Sequence, residues 1–346
     1  MRLFIITLFI LFTSSSFLVA QSSCQRNLNE ARADYSNGNL YAVPGKLGDC
    51  LEEGFSKSEK IEALELLTLT YININQQEKA RTTLIRLLNL KTDYQVIKNV
   101  DPSELYSLYS KIDTDIKYFV GITAGFNNNS IIVHQPYSTN PLGTHDPNYV
   151  SRSSFRQVGA QFLYPITKNI IAGAEIQYQS HRFDYKEIFD NGNNDISTIE
   201  YGTINNGMNL NITLRYMKDY YQWKPFFELG TSGRYNLNYF VTFYTNDFEK
   251  TVDEENINEE INIISDRSNI NFSLNANLGS MIKVRENYIE IKFGVSNYFR
   301  NHLNKKAIND ADKNTLLDTM ILKDDYITNL VYQLNVSFNI PFFNFQ

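Results

Sequence analysis

The stretch Ile270-Asn271-Phe272-Ser273-Leu274-Asn275-Ala276-Asn277-Leu278 places every apolar side chain on one face of a strand and only Ser or Asn on the other. From about residue 115 to the C-terminus the same alternation recurs, in runs of roughly ten residues or more joined by connections that are alternately short and long. A soluble sandwich rarely keeps its inner face this polar. A bilayer offers no water to unpaired backbone groups, so a strand-rich chain crosses it only as a closed barrel with the apolar residues outward. The pattern predicts an antiparallel transmembrane β-barrel.

Eight strands are expected, at roughly 116–127, 154–165, 169–184, 199–217, 223–243, 268–284, 287–301 and 326–342. Short connections follow at 165–168, 218–222 and 285–286, and long ones at 128–152, 185–198, 244–267 and 302–325. In bacterial barrels short turns face the periplasm and long loops face outside, so both ends of this barrel are expected in the periplasm. Mean hydropathy of -0.34 does not oppose a membrane reading, because half of every barrel strand is polar. The formal charge of -6 leaves no basic footprint for nucleic acid.

Alternation assigns the inward positions. They are Glu175, Gln177 and Gln179 on the third strand, Asn211, Thr213 and Arg215 on the fourth, Glu228, Ser232 and Arg234 on the fifth, and Glu290, Lys292 and Arg300 on the seventh. An eight-stranded barrel is just wide enough to be filled by side chains, so these charges are expected to pair across the lumen. Tyr164, Trp223, Tyr288, Phe342 and Phe343 should form an aromatic girdle at the periplasmic rim.

Ahead of the barrel the chain changes character. Residues 1–20 carry Arg2, an apolar stretch and Leu18-Val19-Ala20 before Gln21, which reads as an export signal. Residues 21–112 show helical spacing, with Ser56-Lys57-Ser58-Glu59 as a capping box and Asp101-Pro102-Ser103-Glu104 capping a last short helix. Pro44 is expected to limit the regular part of the helix between Tyr41 and Leu51. Two successive helical hairpins resemble tetratricopeptide repeats, matching their pattern at Ala63, Tyr71 and Ala80. Cys24 and Cys50 would remain after export into an oxidising compartment, and their even count favours a disulfide. Lipidation of Cys24 is the open alternative, although Gln21-Ser22-Ser23 lacks the usual apolar residue ahead of it.

Chemistry-bearing residues are sparse. His134, His145, His181 and His302 lie in or near the outer loops, with Ser130, Ser138, Asp146, Ser180 and Asp184 at no spacing that singles out a catalytic set. The expectation is no enzyme and no resident cofactor. Asp310, Asp312, Asn314 and Asp318 occupy calcium-loop positions 1, 3, 5 and 9, but Thr315 and Ile321 stand where the loop wants Gly and Glu, which favours an ordinary solvated loop over the alternative of a weak divalent-cation site. The acidic third loop, with Asp253, Glu254, Glu255, Glu259 and Glu260, reads as a solvated face or as a divalent bridge to lipopolysaccharide. On the helical region Tyr41, Tyr71, Tyr94, Tyr106 and Tyr109 could line a groove for a protein partner.

Asn, Tyr and Phe enrichment, Ala20-Gln21 at the cleavage point, and a helical-repeat region ahead of eight strands together resemble Bacteroidota outer-membrane barrel proteins of the broad PorT-like group. The resemblance is one of architecture and composition. It implies an outer-membrane subunit with a periplasmic docking domain, in type IX secretion, gliding or envelope assembly. The competing expectation is a surface ligand-binding or small-solute transport barrel acting through its long loops.

Overall fold

The structure is a computed structural model that describes residues 15–135, 148–190, 196–220, 222–244, 260–264, 267–300 and 326–345. The chain forms two compact units, one made of residues 1–116 with 343–346 and the other of residues 117–342.

The first unit is helical: α1 (Ser15–Ser36), a 3-10 turn (Leu40–Ala42), α2 (Val43–Glu52), α3 (Lys57–Asn73), α4 (Gln77–Leu90) and α5 (Ser103–Tyr109). The helix α1 begins inside the stretch expected as an export signal and runs on through Ala20 and Gln21. At α3 the capping box is complete, because Glu59 N–H donates to Ser56 Oγ while Ser56 N–H donates to Glu59 Oε2 at 2.9 Å. Pro44 does not shorten its helix. It sits in the first turn of α2, where a missing N–H costs nothing. Asp101 also departs from expectation, since its Oδ2 accepts from Ile97 N–H at 2.6 Å and α5 has no side-chain cap.

Leu28, Leu47, Leu64, Leu84, Leu87 and Leu88 are all buried in one core with Val43, Ala63, Ala80, Leu105 and Leu108. Each buried leucine contributes about 1.5–3 kcal/mol, so this small unit depends on every one. Cys24 on α1 and Cys50 near the end of α2 form a disulfide, which removes the lipidation alternative for Cys24 in this structure. Gly54 lies against that bridge at φ 126°, where a Cβ would lie 2.6 Å from Cys24 Sγ. Phe345, from the very end of the chain, is part of the same core and stacks on Phe343 at 5.4 Å.

The second unit is a closed antiparallel barrel. Its strands are β1 (Ile116–Gln135), β2 (Asn148–Pro165), β3 (Ile170–Asp190), β4 (Ile196–Met217), β5 (Trp223–Phe243), a two-residue β6 (Ile261–Asn262), β7 (Ile270–Val284), β8 (Asn287–Tyr298) and β9 (Tyr326–Phe343). Each long strand pairs with the next, β1 lies beside β9, and β4 pairs with β5, so the eight long strands close a ring while β6 adds to the edge of β5. Strand β3 stays paired with β4 from Ile170↔Tyr216 to Asp190↔Ile196. The second long connection is therefore only residues 191–195, because alternation weakens beyond residue 184 while the ladder continues.

Several strands are 20 to 22 residues long, about twice what a tilted strand needs to cross a bilayer. The surplus has a different character. On the half of the barrel nearest the short turns the exterior is apolar, with Ile122, Val158, Ile176, Leu210, Ile212, Leu229, Leu274, Leu278 and Phe293 all exposed. Nearest the long connections the polarity reverses, with Phe183, Tyr185, Tyr201, Tyr239, Val241, Ile263 and Ile327 clustered inside. On β5 this reversal is made by a bulge, where Asn206 pairs with Asn238 but Gly207 pairs with Asn236. Leu237 is the extra residue, and the inward set passes from Arg234 and Asn236 to Tyr239 and Val241.

Candidate functional site

The apolar-jacketed half of the barrel holds a polar interior that the strand register assembles from all sides. Arg215 on β4 lies opposite Glu228 on β5 in the ladder, so both point to the same face. Its Nε donates to Glu228 Oε2 at 2.9 Å, and its Nη1 and Nη2 donate to Glu290 Oε2 and Oε1 at 2.9 and 3.0 Å. The guanidinium also stacks on Phe226, 3.7 Å from the ring centre. Lys292 Nζ lies 3.2 Å from Glu175 Oε2 and 3.7 Å from Glu228 Oε1, and Asn277 Nδ2 donates to Glu228 Oε1 at 2.8 Å. Glu175, Arg215, Glu228, Glu290 and Lys292 are all buried, as expected from alternation.

Amides fill the space around these charges. Gln161 Nε2 donates to Asn339 Oδ1 at 2.7 Å, and Gln157 Nε2 donates to Asn335 Oδ1 at 2.6 Å. Gly121, Gly125 and Gly294 stand where a Cβ would collide with Asn339, Asn335 and Asn277, so the glycines make room for those amides. Sequence reasoning did not single out these pairs. A lumen-facing Gly in a strand of otherwise bulky residues was the signal that could have found them.

Arg234 is buried, but it joins no carboxylate among the described residues. Its Nη2 donates to the backbone oxygens of Asn205 and Gln179 at 2.9 and 3.2 Å, and its Nε to Asn236 Oδ1 at 2.9 Å. Arg300 is a correction. The strand β8 ends at Tyr298, so alternation no longer holds at residue 300, and the exposed Arg300 donates from Nη1 to Ile270 O instead of entering the lumen. Tyr288 is another, since it is buried inside the barrel against Phe119 rather than in the exterior girdle, while Tyr164, Trp223 and Phe342 are exposed as expected.

The tyrosines expected to line a groove divide. Tyr41 is 79% exposed, whereas Tyr71, Tyr94, Tyr106 and Tyr109 are half-buried and pack on the helical core. Burial raises the Tyr94 hydroxyl well above its ordinary pKa, and the Glu65 charge adds to this. The calcium-loop residues Asp310, Asp312, Asn314 and Asp318 lie outside the described residues, as do His145 and His302. His181 is inside the barrel with Nε2 3.3 Å from Gln179 Oε1, and His134 Nε2 is 2.8 Å from Thr328 Oγ1. Among the described residues no group of three His, Cys, Asp or Glu is arranged to hold a metal ion.

The sequence matches no protein-family profile and no curated protein. Among solved structures the chain is similar to the N-terminal β-barrel domain of Pseudomonas aeruginosa OprF, at 10% identity and a TM-score of 0.26, over 65% of this chain and 100% of that one. Neisserial surface protein A follows at 12% identity and 0.30, over 65% and 97%. The outer membrane protein OprG of P. aeruginosa matches at 10% and 0.32, over 66% and 97%. Architecture here rests on the strand pairing of this chain itself.

Proposed function

We propose that this protein is a non-catalytic outer-membrane subunit whose barrel anchors a periplasmic, disulfide-braced helical domain that docks a protein partner. A removable export signal over residues 1–20 and a helical-repeat role for the docking domain belong to the same reading, as does service to an envelope machine of type IX secretion, gliding or outer-membrane assembly. The observation that carries it is the filled lumen inside an apolar jacket. Arg215, Glu228, Glu290, Lys292 and Glu175 leave each other paired across the interior, which suits an anchor better than a conduit.

The test combines two measurements on the full chain. Affinity purification from native outer membranes in mild detergent should return a stoichiometric protein partner, lost when Tyr41→Ala is introduced while the barrel stays folded. In planar bilayers the purified protein should give no steady channels. A clean monomer that conducts would replace this reading with that of a transport barrel.

A further inference from the structure

At the edge of the apolar jacket nearest the long connections, Arg152 on β2 is paired directly with Arg182 on β3. Both point away from the lumen, since Arg182 lies between the buried, inward His181 and Phe183, and the Arg152 side chain is 61% exposed. Like charges set directly opposite across an antiparallel pair repel, so the sheet carries this pair at a cost. Asp184 relieves only one of them, accepting from Arg152 Nε at 2.6 Å. Arg182 Nε is buried with no hydrogen-bond partner among the described residues. Arg156 is exposed on the same edge and joins no ion pair among the described residues.

One step further out Lys186 meets Glu200 at 3.5 Å. On these faces four cations, Arg152, Arg156, Arg182 and Lys186, stand against two anions, Asp184 and Glu200. Among the described side chains the surplus is two positive charges. Directly towards the short-turn end lie exposed apolar side chains, with Phe155 at 81% exposure beside Phe126 and with Val158 and Ile176 beyond. A shelf with more cations than anions among the described side chains, set on the rim of an apolar wall, fits a ligand that is anionic at one end and apolar at the other.

We infer that this edge binds the phosphorylated headgroup of an anionic lipid. Guanidinium groups match phosphate oxygens with paired N–H donors, so Arg182 and Arg156 take the phosphate and Arg152 stays shared with Asp184. The acyl chains then run along Phe155, Val158 and Ile176. The inference rests on the membrane reading above and adds a specific lipid site to it.

The test reconstitutes the full chain into phosphatidylcholine vesicles doped with diphosphoryl lipid A, extracts it in mild detergent and counts retained lipid A by mass spectrometry. Retention of lipid A over phosphatidylcholine is expected, with a loss of about tenfold or more in the Arg156→Gln/Arg182→Gln double variant. Lys168→Gln, at the short-turn end, should retain it fully. Equal retention by the double variant, an equal loss in Lys168→Gln, or displacement by millimolar inorganic phosphate would overturn the site. Flotation of the vesicles reads the membrane reading separately: a chain that floats but retains no lipid A sinks only the site, and a chain that does not float sinks the membrane reading beneath it.

Discussion

Arg215 and Glu290 face each other through two parallel hydrogen bonds at 2.9 and 3.0 Å, at a depth where neither side chain touches solvent. Neither can lose its partner cheaply. Replacing Arg215 by Met would leave Glu228 and Glu290 as neighbouring buried carboxylates, a loss of about 3–5 kcal/mol for a broken buried pair. Urea unfolding in detergent micelles should show that fall for Arg215→Met. A smaller loss is expected for Arg215→Met combined with Glu228→Gln and Glu290→Gln, because the stranded charges are gone.

The same pair closes the lumen. Truncating both in Arg215→Ser/Glu290→Ser removes the widest side chains of the layer and leaves Glu175 and Glu228 against Lys292, a net of one negative charge. Steady, cation-selective conductance is expected in planar bilayers where the parent gives none. A silent double variant would show that the aromatic cluster around Tyr185, Tyr201 and Tyr239 seals the barrel by itself.

Bridging positions 26 residues apart restricts the unfolded chain, and Cys24→Ser/Cys50→Ser should destabilise the helical unit by about 3 kcal/mol. The loss belongs in the helical far-ultraviolet signal on heating. Heat-modifiable gel mobility, which reports the barrel, should not change.

Gly54→Ala meets two obstacles, a positive φ and the nearby Cys24 sulfur. A destabilisation of about 1–3 kcal/mol is expected in the same helical melt. Adding Cys24→Ser should recover only the steric part, so a full rescue would refute the backbone contribution.

Ser56 and Glu59 make the helical unit sensitive to acid. Hydrogen bonds from the Ser56 hydroxyl, then from its backbone N–H, hold the Glu59 carboxyl below its ordinary 4.5. A depressed carboxyl stabilises the fold above the unfolded value and stops doing so as pH falls through the folded one. The helical melting temperature should therefore decline below about pH 4.5. Ser56→Ala should cost about 1 kcal/mol at neutral pH and flatten that decline.

Strand alternation alone was enough to read the closed barrel, the inward charges Glu175, Arg215, Glu228, Arg234, Glu290 and Lys292, and the short turns. Each of those follows from a period of two that a strand cannot escape. What the sequence hid lay where the period breaks. A bulge at Leu237 reverses which residues face inward with no Gly or Pro beside it on its own strand, the nearby Gly207 lying on the facing one, and β8 stops two residues before Arg300 with nothing in the composition to say so. Pro44 was visible but ambiguous, since proline suits a first helical turn as well as it ends a later one. The Arg152–Arg182 pairing depends on register across a connection, which pattern reading within one strand does not reach.

Phe345 ties the helical core to a distant part of the sequence. The helices are made first, yet one of the side chains in their core comes from the last residues of the chain. Sequence distance and spatial neighbourhood part company here, since Phe345 follows β9 and yet packs with Leu28, Leu64 and Leu105 in one cluster. A fragment cut off before β9 would therefore carry all the helices and still lack one member of their core, so the helical unit is not a self-sufficient module of the sequence.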